Sequence, residues 1–507
     1  MELLSRSRSD ASSARSPDLP RAALMSKQRS FTHNVAWNLI GAGVPLAFAF
    51  LAIPTLLSGY GNARFGFLTI VWSLIGYFSI FDFGIGRALT KLVSDRLGTS
   101  STHDIPDVTA TGLRVMMILG VFAAAMILVI APWLVGLLKI DASLLDEAIT
   151  SLRVLALSIP FVILSAGLIG ILEAHGQFRS INVIRLAMGL LNFAAPLLML
   201  HWSNHLVPAT ISLAISRVIT TVLYFSRVRR LDSVGASHGR FKKHHIRELL
   251  GFGGWITLSN LISPLMAQMD KLVIGAVVAL ALLPFYSVPA DLVNRFSFAP
   301  ISMVGVFFPA FASTWSSGKR EAIPEMYAGA SKAMCAALFP AALCLYAFAP
   351  EGLTLWMGQN FSSQSTPLLR WLALGLLVNS IARVPHALLQ ATGRPSTTAK
   401  LHLMELPIYA LGLWLLLSHY GILGAAIAWA GRMALDFLLL VLCANSIIPG
   451  LERRSVLVVG AVAGGVCIIL GVGAVGAMLP RAIACVVISA ASLFYALHTL
   501  SRIRRHD

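Results

Sequence analysis

The sequence predicts an all-α integral membrane protein of about fourteen transmembrane helices: two homologous six-helix bundles, then two additional helices. Three observations predict it. Of 507 residues, 57% are hydrophobic and only 12% charged, about half the charged share of an ordinary soluble domain. The apolar residues fall into runs long enough to cross a bilayer, which takes about 20 residues of helix. The basic residues collect between those runs.

In chain order the runs lie near 34–57, 65–95, 110–138, 150–173, 180–202 and 205–227, then 249–280, 284–315, 327–350, 366–391, 398–418 and 421–447, and last 455–478 and 480–502. They divide the chain into a disordered cytoplasmic tail (1–33), a first bundle (34–227), a basic cytoplasmic linker (228–248), a second bundle (249–447) and two additional helices with a short tail (448–507). The tail is rich in Ser and Arg and lacks the apolar centre of a cleavable signal peptide.

The division rests on an internal repeat. Trp37 and Trp255 each open a helix, LEAHG at 172–176 matches LQATG at 389–393, and Arg217 in LAISR matches Arg432 in WAGR, all about 215 to 218 residues apart. Six helices return a chain to its starting side, so the two copies share one orientation, related by an axis along the membrane normal. A cavity between them follows.

The formal charge of +17 would suit nucleic acid only if the basic residues shared one folded face. Instead they cluster in the N-terminal tail, at 227–247, at Lys319 and Arg320, at Arg453 and Arg454, and in RIRRHD at 502–507. With both termini cytoplasmic every cluster falls inside, and the outer loops hold little beyond Arg64, Lys139 and Arg481. Cys335, Cys344, Cys443, Cys467 and Cys485 lie in apolar runs with no CxxC pair; they read as packing residues, and no metal or cofactor is expected. Prolines recur inside the helices, Pro54, Pro160, Pro289, Pro300 and Pro340 among them, as static kinks whose freed carbonyls neighbouring helices can satisfy.

The informative residues are charges inside the spans. An ionised side chain at the centre of a spanning helix costs roughly 2.5–3.5 kcal/mol on insertion scales, so it needs a partner, water or a ligand. FDFGIGRALTKLVSD at 81–95 carries Asp82, Arg87, Lys91 and Asp95. On a continuous helix Arg87 and Lys91 lie about 40° apart and Asp82 about 140° from Arg87, so Asp82 cannot neutralise both. Lys91 can pair with Asp95 at i,i+4. Arg87 is deeper, either facing a ligand or paired with another helix, and Gly84 and Gly86 beside it leave room for a headgroup or a close helix contact. In the second bundle Lys271 follows Asp270, Arg295 has Asp291 one turn before it, Arg383 lies deep, and Arg432 has Asp436 one turn later for a local ion pair. Arg185 and Arg217 have no local acid. Arg87, Lys91, Lys271, Arg295, Arg383, Arg185 and Arg217 are therefore candidate ligands for a polyanionic headgroup, since guanidinium binds phosphate through paired hydrogen bonds and stays charged. Asp82, Asp270 and Asp291 are candidates for ion coupling, with helix pairing as the alternative.

FTHNVAWNLIGAG at 31–43, FG at 65–66, DFGIG at 82–86, LEAHGQF at 172–178, and QMDKLVIG at 268–275 followed by FYSVPADLVNRF at 285–296 resemble the Wzx-type polysaccharide flippases of the multidrug, oligosaccharidyl-lipid and polysaccharide exporter superfamily. The resemblance spans about 30–450. It implies a V-shaped pair of six-helix bundles in the bacterial cytoplasmic membrane. Alternating access would carry an undecaprenyl diphosphate-linked oligosaccharide to the outer leaflet for O-antigen, capsule or exopolysaccharide synthesis. Coupling to an ion gradient, polysaccharide polymerase machinery as a partner and no role for nucleic acid are also implied. Asp82 and Arg87 fall in the family's second-helix motif, Asp270 and Lys271 in its seventh. LLPFYS at 282–287 departs from the small glycine turn common there and leaves the start of the eighth helix, and the exposure of Arg295, open.

Two rival readings differ in chemistry. A multidrug efflux antiporter would line its cavity with acidic or aromatic groups that accept organic cations. A membrane glycosyltransferase or polymerase needs a positioned base and a substantial extramembrane domain, whereas the longest interior loop has only about 20 residues; no enzyme activity is expected. GVGAVG at 471–476 lacks a βαβ context, GASHG at 235–239 lacks a strand-to-helix elbow, and no Walker A pattern occurs.

Overall fold

A computed structural model describes residues 21–99, 102–231, 239–249 and 268–503. The first helices are α1 (Arg21–Phe78), α2 (Ile85–Gly98), α3 (Ile105–Gly136), α4 (Ala142–Ala156), α5 (Ile159–Ala174), α6 (Phe178–Leu200) and α7 (Leu206–Val228). Residues 243–249 and 268–277 are helical. Then come α8 (Leu283–Arg295), α9 (Phe298–Ser316), α10 (Ile323–Ala347), α11 (Ala349–Met357), α12 (Gln359–Ala391), α13 (Pro395–Tyr420), α14 (Ile422–Ile447), α15 (Glu452–Gly473) and α16 (Met478–Ile503). No strand occurs among the described residues.

Twelve helical stretches among those residues are long and apolar enough to cross a membrane. The first predicted run and the start of the second, 65–78, appear within one stretch, because α1 continues past a break at Gly61 (φ 74°, ψ 166°). Most of the predicted seventh run, with Trp255, lies outside the described residues, as do 1–20 and most of GASHG. Helices α1–α7 pack chiefly on one another, and so do α8–α16; α15 and α16 both lie against α10. Large apolar side chains such as Phe122, Val129, Val486 and Phe494 stay exposed, as a surface facing hydrocarbon requires.

Prolines explain several boundaries. A proline removes its own N–H and crowds the carbonyl four residues back. Pro160 accordingly sets the stop of α4 at Ala156, and Pro300 sets the gap after Arg295. Elsewhere the helix continues and the freed carbonyl finds a donor on another helix. Pro54 frees Phe50 O, which accepts from Trp356 Nε1 at 2.7 Å. Pro289 frees Phe285 O, which accepts from Ser365 at 3.0 Å, and Pro340 frees Ala336 O, which accepts from Ser492 at 2.8 Å. GVGAVG, predicted to lie inside an apolar helix, instead ends one, since α15 stops at Gly473.

The two ends of the helix array differ. At one, Lys139 N–H donates to Gly275 O (2.8 Å) and Leu280 N–H to Lys139 O (3.1 Å), a backbone joint between the α3–α4 and 278–282 connections. Arg64 pairs with Glu147 at 3.2 Å there, and buried Arg481 pairs with Glu351. At the other end the linker segment docks on α2 and α3: Lys242 reaches Asp107 (2.7 Å), Arg240 N–H donates to Asp107 Oδ1 (2.6 Å), and Arg96 pairs with Glu248 (3.0 Å).

The matched LEAHG and LQATG segments end α5 and α12, and each supplies a left-handed glycine just after its helix, Gly176 (φ 67°) and Gly393 (φ 77°), where only the missing Cβ makes that conformation easy.

Candidate functional site

The second span is not the continuous helix the sequence predicts. It breaks into a 3₁₀ turn at Ser79–Asp82, and Phe83 (φ 48°) and Gly84 (φ 71°) both adopt left-handed backbone. Asp82 Oδ1 accepts from Gly84 N–H at 2.7 Å, so this carboxylate holds the turn together. The helical angles drawn from Asp82 to Arg87 and Lys91 therefore do not apply. Gly86 serves helix contact: a Cβ there would sit 3.2 Å from Ala166 O, and one on Gly170 would sit 2.4 Å from Gly86 O. Arg87 and Lys91 project from α2 as exposed side chains, Arg87 within electrostatic reach of Asp82. Arg185 on α6 is also exposed.

Arg217 on α7 is buried, 8% exposed. It donates to Met188 Sδ (3.2 Å) and Asn192 Oδ1 (2.5 Å), both neutral, and its Nε has no acceptor among the described residues. None of these four cations lines the cavity described next.

That cavity, about 510 Å³, opens among segment 268–277, α8, α12, α13 and α14. Its wall carries Arg295, Arg383 and Arg432 together with Asp270, Asp291, His402, Asn294 and Trp429. The end of α8 ahead of Pro300 presents Asn294 and Arg295, both exposed. The open question about the eighth helix resolves here: Leu280–Leu282 form a 3₁₀ turn, Pro284 starts α8, and Tyr286 is fully buried.

Both acids of the wall are engaged. Buried Asp270 accepts from Tyr286 OH (2.5 Å) and from Lys271 N–H (2.9 Å). Asp291 takes Lys271 Nζ at 2.8 Å, and Lys271 is 7% exposed. Asp291 thus serves Lys271, not Arg295 one turn on as the spacing suggested, and Arg295 makes no ion pair among the described residues. Arg432 stacks over Tyr409 at 5.1 Å, while Asp436 has His402 at 3.5 Å. Arg383 is half-buried, within electrostatic reach of Asp436, and its Nε has no acceptor among the described residues.

A second, smaller cleft joins the two parts of the chain. Asp291, Arg295 and Trp356 face Phe65, Trp72 and Phe193 across it. Trp72 packs edge-on to Phe65 (5.9 Å) and tilted on Phe193 (5.1 Å), and Phe50 stacks on Trp356 at 4.3 Å. Arginines beside aromatic faces suit a ligand with anionic and sugar portions. Of the seven cations singled out from sequence, the structure brings Arg295 and Arg383 to the cavity and adds Arg432.

The sequence matches the polysaccharide biosynthesis protein family over residues 56–366. The chain belongs to that family. A Shigella flexneri protein named "Putative O-antigen transporter" is 28% identical over 413 residues, 81% of this chain and 97% of the relative. Among solved structures, an inward-facing multidrug resistance transporter of the MATE family superposes with a TM-score of 0.67 at 16% identity, over 81% of this chain and 99% of that one. Lipid II flippase MurJ, in an inward closed conformation, gives 0.64 at 15% identity over 91% and 99%. Such identities establish a shared fold, that of the exporter superfamily suggested by the scattered motifs. The protein is a multi-pass membrane protein, and its relatives are transporters and flippases, not enzymes.

Proposed function

We propose that this protein carries undecaprenyl diphosphate-linked oligosaccharide repeat units from the cytoplasmic to the outer leaflet of the bacterial inner membrane, by alternating access of two six-helix bundles (34–227 and 249–447). The observation that carries the reading is the grouping of Arg295, Arg383 and Arg432 on one cavity wall whose two acids, Asp270 and Asp291, are already held by Tyr286 and Lys271. Three guanidinium groups gathered on one wall suit a diphosphate and disfavour the cationic drugs of a multidrug antiporter. The relative's O-antigen name and the flippase among the structural neighbours support the same passenger class. The lipid tail would stay in the bilayer while the headgroup crosses in the wet interior, which lowers the desolvation cost of its charges.

Both termini are cytoplasmic in this reading. The outer loops then hold few cations, Arg64, Lys139 and Arg481, against the basic clusters inside, which supports that orientation; Arg64 and Arg481 pair with Glu147 and Glu351. The Lys139–Gly275 joint then closes the outer side. Lys271 acts as the tether of Asp291, leaving headgroup contact to the arginines, with Arg87, Lys91, Arg185 and Arg217 as contacts in other conformations of the cycle. Polysaccharide polymerase machinery would receive the passenger, and Asp82, Asp270 and Asp291 remain proposed coupling groups.

The test is genetic and direct. Deleting the gene should abolish surface polysaccharide and accumulate lipid-linked repeat units inside, and Arg383→Ala expressed at normal level should fail to restore export. Unchanged polysaccharide in the deletion strain would sink the proposal.

A further inference from the structure

The reading above leaves three titratable side chains unused: His402 of α13 on the cavity wall and, behind it, Glu405 of α13 and Asp436 of α14. Their ligand atoms lie within 4.8 Å of one another. Glu405 is 1% exposed and Asp436 9%. Neither oxygen of Glu405, nor Oδ1 of Asp436, has a hydrogen-bond donor among the described residues. His402 stands 3.5 Å from Asp436 and, unlike Glu405, faces the cavity. His386 of α12 stacks on it with ring centres 5.9 Å apart.

Ionised carboxylates accept hydrogen bonds and cannot donate them. Two of them side by side out of water repel, and each lacks the donor that would offset its lost hydration. A single proton removes both problems, because a protonated carboxyl donates O–H to its neighbour. From this geometry we infer that Glu405 and Asp436 share an exchangeable proton and that His402 passes it to and from the cavity.

The charged groups around the pair fit a proton better than a metal ion. Arg432 faces it from α14 and Arg383 and His386 from α12, and Tyr409 of α13 lies under Arg432. Beyond Tyr409 stand Asp270 and Tyr77. A divalent ion on a His–Glu–Asp donor set would add two positive charges beside two guanidinium groups; a proton only cancels one carboxylate. While both acids are ionised they balance Arg383 and Arg432. Proton uptake cancels one of the two carboxylates and leaves one guanidinium charge to the cavity, so a proton and an anionic passenger favour each other's binding, and by linkage the effect is reciprocal. This last step rests on the flippase reading; the proton site does not.

The test uses the purified full chain in lipid nanodiscs, without passenger. Infrared difference spectra across a pH step should show a protonated-carboxyl band, lost in Glu405→Gln and in Asp436→Asn, and shifted in its pH dependence by His402→Gln. Should Glu405→Gln fail to give a monodisperse protein, Asp436→Asn reads the same band. A band unchanged in both carboxamide variants overturns the proposal. So does saturable Zn²⁺ or Na⁺ binding at fixed pH that disappears in Glu405→Gln, which would make the cluster a metal site. Inorganic pyrophosphate, titrated by calorimetry in buffers of different ionisation heat, tests the coupling: binding should draw in a proton in the native chain and not in Glu405→Gln. Absence of any pyrophosphate binding counts against the diphosphate reading, while the carboxyl band still decides the proton site.

Discussion

The two parts of the chain handle buried charge differently. In the first, cations are dispersed: Arg87 and Lys91 are exposed on α2, Arg185 is exposed on α6, and Arg217 is buried against neutral Asn192 and Met188. In the second, four helices and segment 268–277 turn their charges toward one cavity, where Lys271 engages Asp291, Tyr286 engages Asp270, and Arg295, Arg383 and Arg432 share the wall. The motifs that looked alike, Asp82 with Arg87 and Asp270 with Lys271, do unlike work. Asp82 secures a backbone turn, whereas Asp270 anchors a hydrogen-bonded floor.

The largest expected effect would break this contrast outright. Arg383→Ala and Arg295→Ala should each lower export by roughly 10²-fold or more, the scale of losing a charged contact of about 3 kcal/mol, while Arg185→Ala, a contact only in other conformations of the cycle, lowers it less. Export of labelled repeat units into vesicles checks it, and equal losses from the two parts would erase the distinction. Next in size is Glu351→Ala, which takes the carboxylate from buried Arg481; Glu351 is itself only half-buried, so the cost should be about 1–3 kcal/mol, seen as a lower melting temperature in detergent. Tyr286→Phe takes one donor from buried Asp270 and should cost about 1–3 kcal/mol. Arg217→Met sharpens the comparison from the other side: a buried cation with neutral partners contributes little, so melting should be unchanged or improved. A loss of export in that stable variant would assign Arg217 to the passenger path.

The smallest effect concerns the linker. Burial pushes the His245 imidazole below its ordinary pKa, against the opposing pull of Glu248. The unfolded state then binds the proton more readily, so His245's share of docking stability is complete above its ordinary pKa, near 6.5, and is lost as pH falls through the lower folded value. Hydrogen-exchange protection of 239–249, taken relative to the intrinsic amide rate at each pH, should fall toward acid pH in the native chain and less so in His245→Gln.

The fold class was legible because a bilayer demands long apolar runs and leaves Lys and Arg at their ends. The prolines were legible only as kinks: one predicted run passes through Pro160 and another through Pro300, whereas α4 stops at Ala156 and α8 at Arg295. The break after Asp82 was not legible, since a left-handed Phe83 follows from packing and has no linear signal. Nor could spacing reveal the partner of Asp436 or Asp291. Residues one turn apart on a helix suggest local pairs, but rotation of neighbouring helices brought His402 to the first and Lys271 to the second. Glu405 was overlooked, although a glutamate three residues after a histidine in an apolar helix is itself a signal.

The Trp356–Phe50 contact has one further consequence. Its acceptor exists because Pro54 leaves that carbonyl without an intrahelical donor. Pro54→Ala would hand the oxygen back to its own helix, so the seam between the halves could be unfastened by straightening one strand of it, with the tryptophan and the phenylalanine both left in place.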